Sequence, residues 1–424
     1  MNAQPRMLDV ADPNCDPRPR DKTAAPLRLP ASPTWGSRLK VATGKLHLYI
    51  ALWCGVLFVL LGLTGSAIAW IHELDSALNP ELFHATVAPG AAPGTAERLK
   101  AVQDFLVADP RYGRPDQLHV PAAPDEAVVA WYRRTPAGER SAFALNVSRQ
   151  VMVDATALRV NGERNWGEIG LSRPLLMPTL FNFHHYLVAG EVGRTIGGIT
   201  GILLAIAGLS GLVLWWPRLR LKALRQALTV SYRGSWPRLN FSLHRAAGFF
   251  IAPLLVMQGL SGLYLNLPQW VLPVVGAVAT VSPNDKVSNA VPHAGAPLDA
   301  AAAARIAQAQ FPEARVSRVA MSSPKKPYEV RMRQEGEVRK GDGATRLTID
   351  AYSGAVLRVR DPQRAPGGDT FVNWLFPLHT GEAFGTPGRI FASLFGIAPL
   401  LFMITGVTIW LNRRREKRAA QLRR

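Results

Sequence analysis

Cysteine is nearly missing from this chain: Cys15 and Cys54 are the only two among 424 residues. One stands in a Pro- and Arg-rich arm and the other inside an apolar run, so they supply neither a disulfide framework nor a zinc site. No C-x-x-C-H occurs, which excludes covalently attached c-type haem. There is no Gly-rich phosphate loop, no Ser/His/Asp arrangement and no cluster of metal-ligating side chains outside the apolar runs. Any chemistry therefore belongs to a bound cofactor. Acidic residues are scarce as well, 30 against 49 Lys and Arg. In four stretches, 46–71, 195–216, 246–271 and 390–411, charge is absent altogether. Each is long enough to cross a hydrocarbon core about 30 Å thick, and four such runs make this a membrane protein. No short apolar region with a small-residue cleavage site precedes the first run, which reads as an uncleaved anchor.

The formal charge of +19 sits where topology needs it. Residues 1–45 hold eight Lys/Arg and four acids, 217–240 six and none, and 412–424 seven and one. These segments fall on one side if four helices alternate, and basic flanks mark that side as cytoplasmic. The excess is a topology signal, and nucleic acid is not an expected partner. Two large loops, roughly 72–190 and 270–386, then lie outside, and the first 40 residues hold too little apolar surface to fold.

Self-comparison exposes an internal duplication. At an offset of 195, His184 falls on His379, Gly193-Arg194 on Gly388-Arg389, Ser210-Gly211 on Thr405-Gly406 and Trp215 on Trp410. His47 precedes Thr64-Gly65 by 17 residues, and His244 precedes Ser261-Gly262 by the same 17. Two equally oriented units imply a pseudo-two-fold axis along the membrane normal. His47 and His244 then meet near the cytoplasmic edge, and His184 and His379 near the outer edge. Facing helices of a bundle can hold a metal or cofactor between such side chains, and imidazole is an axial ligand of haem iron. A lone histidine at a helix end is usually an interfacial anchor. Four in two matched pairs point to function, because ionisable groups at membrane depth are costly.

His185 has no counterpart in the repeat, and on a helix it points about 100° from His184, so His184 is the preferred ligand. His72 is an alternate outer ligand, although Gln269 occupies its equivalent position. Arg194, Arg389 and Arg245 flank the sites as candidate propionate contacts. Trp215, Trp216 and Trp410 read as an interfacial belt, and Gly193, Gly197 and Gly201 as a close-packing stripe or room for a porphyrin face. His184 lies well before the second span, so Gly190 and Gly193 are expected to break that segment unless the outer site lies near the surface.

The expected fold is membrane α-helical: a four-helix bundle made of two tandem helix–domain–helix repeats, with two small α+β domains outside. The expected divisions are a disordered arm (1–40), helix 1 (41–72), first external domain (73–183), helix 2 (184–216), basic loop (217–240), helix 3 (241–268), second external domain (269–376), helix 4 (377–411) and basic tail (412–424). In the first domain a helix over 96–107 precedes the strands AVVAWYR, SAFALNV and QVMVDA. In the second, a helix over 298–311 precedes RVSRVAM, YEVRMR, RLTIDA and AVLRVR, the last two joined by the turn AYSGA.

The stretches LHLYIALWCGVLFVLLGLTG, GLSGLVLWWPR, LHRAAGFFIAPLLVMQGLSG, HTGEAFGTPGR and TIDAYSGAV resemble the PepSY-associated transmembrane family, iron-regulated inner-membrane proteins of bacteria. The resemblance spans about residues 40–415 and implies two periplasmic PepSY-like domains. It also implies two b-type haems, with His47, His184, His244 and His379 in the family's histidine positions. The implied activity is ferric-siderophore reduction in the periplasm with release of Fe(II). Some relatives carry a C-terminal flavodoxin-reductase-like extension; this sequence shows none, so a separate cytoplasmic or quinol electron donor is expected. Two rivals differ in class. One is a non-redox membrane protein whose PepSY-like domains bind or regulate a peptidase or envelope partner. The other is an iron-chelate transporter, disfavoured because the four spans carry no acidic residue.

Overall fold

The computed structural model describes residues 35–87, 95–133, 141–216, 220–290 and 295–423. Most of the expected disordered arm, with Cys15, lies outside the described residues. Trp35–Lys40, assigned to that arm, instead begin the first long helix.

Helices α1 (Trp35–Ile68), α2 (Ile71–Leu78), α3 (Pro80–Phe83) and α4 (Thr95–Ala108) lead into strands β1 (Gln117–His119), β2 (Val128–Arg133), β3 (Ser148–Asp154) and β4 (Arg159–Trp166). Then follow α5 (Arg173–Tyr186), α6 (Gly190–Trp215), α7 (Leu221–Leu228), α8 (Trp236–Asn266) and α9 (Pro268–Gly276). The second half has α10 (Ala300–Gln310), strands β5 (Arg315–Ala320), β6 (Tyr328–Arg333), β7 (Thr345–Ile349) and β8 (Val356–Arg360), then α11 (Gly367–Thr380), α12 (Gly385–Phe395) and α13 (Ala398–Leu422).

Four helical segments are long and apolar enough to cross a membrane: α1, α6, α8 and the stretch Glu382–Leu422 that contains α12 and α13. They form a ring in which α1 packs on α6, α6 on α8, α8 on α13 and α13 on α1. The helices α1 and α8 thus face each other across one diagonal, and α6 and α13 across the other. Their outer surface is apolar, with Trp53 85% and Leu394 64% exposed, as lipid contact requires. Two sides of the ring are drawn tight by glycine. A Cβ on Gly201 would stand 2.5 Å from the carbonyl oxygen of Gly259, and one on Gly62 2.3 Å from that of Gly396. Of the anticipated Gly stripe, Gly201 serves packing against α8, and Gly193 fits under the Tyr186 carbonyl, 1.6 Å from where its Cβ would be.

The second and fourth segments, bounded at 184–216 and 377–411, are each interrupted; the break expected at Gly190 and Gly193 in the second falls just before Gly190. After α5 the chain turns through Leu187 and Val188 at φ 46° and 56° before α6 begins. After α11 it turns at Gly381, φ 81°. His184 and His379 therefore end short helices that precede the spans.

The external strands do not form two separate sheets. They make one eight-stranded antiparallel sheet in the order β4-β3-β2-β1-β5-β6-β7-β8, joined where Leu118 pairs with Val319 and His119 with Arg318. The segment SAFALNV is not a strand. Its backbone instead meets the start of α6, the Ala142 carbonyl accepting from the Val192 N–H. One face of the sheet packs against α4 and α10 through Leu99, Val102, Leu106, Ala303, Ala307, Val319, Val330 and Leu347, all fully buried. The sheet is pinned to the helices at Arg164 of β4, whose guanidinium makes a 2.6 Å ion pair with Asp75 of α2.

Two equivalent turns follow β3 and β7. Asp154 accepts from the N–H groups of Thr156 and Ala157 through one oxygen and from Thr86 through the other. Asp350 accepts from Tyr352 and Ser353, and from Ala290. Burial works to raise both carboxyls, but these donors prevail and hold both below the usual range, Asp350 at about 2. A carboxyl depressed on folding contributes stability that is fully present above its unfolded pKa, about 3.9, and is lost as pH falls through its folded value. Thermal melts should therefore drop steeply between about pH 4 and pH 2. Asp350→Asn should flatten that drop, and an unchanged pH profile would remove Asp350 from the account.

Candidate functional site

The ring of helices brings each predicted histidine onto a Ser/Thr-Gly pair of a neighbouring helix. His47 of α1 places Nδ1 3.0 Å from Ser210 Oγ and 3.1 Å from the Ala207 carbonyl of α6. His244 of α8 places Nδ1 2.7 Å from Thr405 Oγ1 of α13. His184 of α5 meets Thr64 Oγ1 of α1 at 3.1 Å, and His379 of α11 meets Ser261 Oγ of α8 at 2.8 Å. The glycine after each hydroxyl residue lies beneath the ring. Cβ atoms on Gly211, Gly406, Gly65 and Gly262 would stand 3.3, 3.5, 2.9 and 3.5 Å from the Cε1 atoms of His47, His244, His184 and His379. Hydroxyl and glycine thus make a seat for each imidazole.

The hydroxyls also decide the tautomer. Each already donates its single hydrogen to a carbonyl of its own helix: Thr64 to Leu60, Ser210 to Ala207, Ser261 to Met257 and Thr405 to Leu401. His47 Nδ1 also faces the Ala207 carbonyl, which can only accept, so its proton is assigned to Nδ1. With the other hydroxyl hydrogens placed on their helix carbonyls, the same assignment follows for His184, His244 and His379. Each Nε2 then keeps a lone pair, and none of the four Nε2 atoms makes a hydrogen bond among the described residues. This is the form in which histidine ligates a metal, with the second nitrogen oriented by an outer partner.

His184 and His379 come together, their ring centroids 6.3 Å apart and their planes at 68°. Metal–imidazole bonds of about 2 Å each fit within that gap. His47 and His244 stand on diagonally opposed α1 and α8, within electrostatic reach of each other.

Of the alternates, His185 lies against Phe181 at 4.4 Å and near His184 at 5.6 Å, with no hydroxyl seat among the described residues. His72 is not brought to the pair; it lines a groove with Glu73, His84 and Glu126. Arg389 is fully engaged, bonded to Glu73 at 2.6 Å and to the Ala69 carbonyl. Arg194 pairs with Glu191 at 3.2 Å and Arg245 donates to the Gln226 carbonyl; each keeps a buried Nε without a partner. Trp215, expected in the interfacial belt, is buried and stacks on Phe249 of α8 at 4.2 Å. Trp216 is exposed as expected.

The hydroxyl residues Thr64, Ser210, Ser261 and Thr405 were visible in the repeat as matched dipeptides, but their role depends on which helix each faces. Rings also continue outward from the pair. From His185 and Phe181 the chain of contacts runs to Trp166 at 5.4 Å, Trp131 at 5.7 Å and His119 of β1 at 5.2 Å, and nothing in the local sequence announces it.

A ring of four helices long and apolar enough to cross a membrane, with two pairs of half-buried, seated imidazoles and a single sheet beside it, defines a multi-pass membrane protein with histidines inside the bundle. The PepSY-associated TM region matches residues 45–413, and the chain belongs to that family. No curated protein matches it.

Proposed function

We propose that the protein is a di-haem b electron-transfer protein of the bacterial inner membrane that reduces a ferric siderophore in the periplasm, releasing Fe(II) for uptake. The observation that carries this reading is the fourfold seat: in each case Nδ1 is tied to a committed hydroxyl and Nε2 is left free, in two pairs from different halves of the chain. His47 and His244 would hold one haem and His184 and His379 the other, and a bound haem supplies one-electron transfer across the bilayer. The seats fix ring orientation and tautomer in advance, so little ordering remains when iron binds. The free Nε atoms of Arg194 and Arg245 are the donors left for propionates, whereas Arg389 is committed to Glu73.

In this reading the chain is two tandem helix–domain–helix units. Both termini are cytoplasmic, the two PepSY-like halves of the sheet stand in the periplasm, and a separate cytoplasmic or quinol donor supplies electrons. The matched Asp154 and Asp350 turns and the paired glycine crossings support the duplication. Spectroscopy of the protein purified from haem-replete cells tests it. The expected result is a Soret band, α/β bands on reduction, and two haems per polypeptide by pyridine haemochrome. A colourless preparation ends the proposal and favours the non-redox binding role.

A further inference from the structure

The sheet face turned toward the helix ends carries a line of cations that haem binding does not use. His119 of β1 pairs with Arg318 of β5, Arg318 with Arg331 of β6, Arg331 with Arg346 of β7 and Arg346 with Arg360 of β8. Directly opposed residues share a face, so one histidine and four arginines stand in a row across five strands. Their chain neighbours Val319, Val330 and Leu347 fill the core on the other face. The row looks toward the bundle: Arg346 and Arg360 lie within electrostatic reach of Tyr264 at the end of α8. Nearby Arg339 covers the Phe376 ring of α11 at 4.1 Å.

Like charges directly opposite each other destabilise a sheet. Asp342 and Glu382 lie near the row, but no carboxylate pairs with Arg318, Arg331 or Arg346 among the described residues. Arg360 is satisfied by Pro283 and Asn284. Arg331 is the telling member. It is only 7% exposed, and its Nε is buried without a partner. Burial, then the neighbouring Arg346 and Arg318, push its guanidinium down to about 9. A buried unpaired cation is strongly unfavourable, and a fold that retains one has a use for it.

We propose that this row is the docking site of a net-anionic iron(III) chelate whose outward groups are carboxylates. Guanidinium forks match carboxylates in bidentate geometry, and three unpaired forks in register suit a ligand with several negative groups. The assignment to a redox substrate rests on the reductase reading and on position. The His119 end of the row touches the ring series Trp131, Trp166, Phe181, His185 and His184, with no centroid step above 5.7 Å. A lipid headgroup would have no reason to sit at the end of that series.

The test is equilibrium binding to the full-length protein in detergent. The probes are iron(III) citrate, redox-inert gallium(III) citrate and a neutral iron(III) trihydroxamate, and the readouts are ultrafiltration and quenching of tryptophan fluorescence. Both citrates should bind, the neutral chelate at least tenfold more weakly. Arg331→Gln and Arg346→Gln should each weaken citrate binding tenfold or more with haem content unchanged. Without ligand, Arg331→Gln should melt above the parent, which shows that the variant folds. Equal binding by parent and variants, equal affinity for the neutral chelate, or an anionic lipid on the row that citrate cannot displace would each overturn the proposal. Haem-loaded protein that binds no citrate ends the site and leaves the reductase reading intact. A colourless protein that binds gallium citrate through Arg331 supports the site and ends the reductase reading.

Discussion

If the protein holds two haems as proposed, His184→Ala should lower the haem content of the purified protein by one per polypeptide, while His185→Ala should leave it unchanged. The difference follows from the seats. His184 has Nδ1 on Thr64, whose hydrogen is committed to Leu60, and Gly65 gives its ring room. His185 is one position on, lies against Phe181 and has no hydroxyl to fix its tautomer. Thr64→Val keeps the shape and removes the acceptor, so outer-haem affinity should fall about 10–100-fold, the usual cost of losing an outer-shell partner. His47→Ala should remove the other haem. Pyridine-haemochrome counts on the variants decide the matter. Equal loss for His184→Ala and His185→Ala, or loss for neither, would overturn the ligand assignment.

Asp75→Ala costs about 3–5 kcal/mol, as expected when one partner of a buried ion pair is removed and the other charge is left behind. The side chains of Arg164 and Asp75 are 3% and 7% exposed, at 2.6 Å. Arg164 also donates to Gln150 and to the Pro174 carbonyl. This network ties β4 to α2 and to the start of α5, the helix that ends at His184. The double variant Asp75→Ala/Arg164→Met should recover much of the loss, because an apolar side chain of similar length carries no stranded charge. Thermal melts followed by tryptophan fluorescence compare them, with Trp166 beside the pair as the reporter. If single and double variants melt alike, the pair does not hold the junction.

Much of the architecture is legible in the sequence. Uncharged runs of spanning length read as membrane helices, and α1, α6, α8 and the stretch containing α12 and α13 fall on them. The alternation in YEVRMR and RLTIDA gives β6 and β7. SAFALNV reads as a strand by its apolar alternation, but Phe143 is 64% exposed and it is the backbone of the segment, through the Ala142 carbonyl, that meets the start of α6. The breaks after His184 and His379 were harder to place. Leu187 and Val188 take a left-handed conformation that their residue types disfavour, and tertiary packing decides it.

The sequence by itself determined the four crossings, the basic flanks and the four matched histidines with their Ser/Thr-Gly dipeptides. These are properties of composition and repeat spacing, which need no knowledge of what lies opposite. Tertiary structure alone decided that each imidazole sits on a hydroxyl of another helix, that two small sheets fuse through β1 and β5, and that arginines from four strands stand in one row. Such features depend on helix neighbours and strand register, relations between distant segments set by packing of the whole chain.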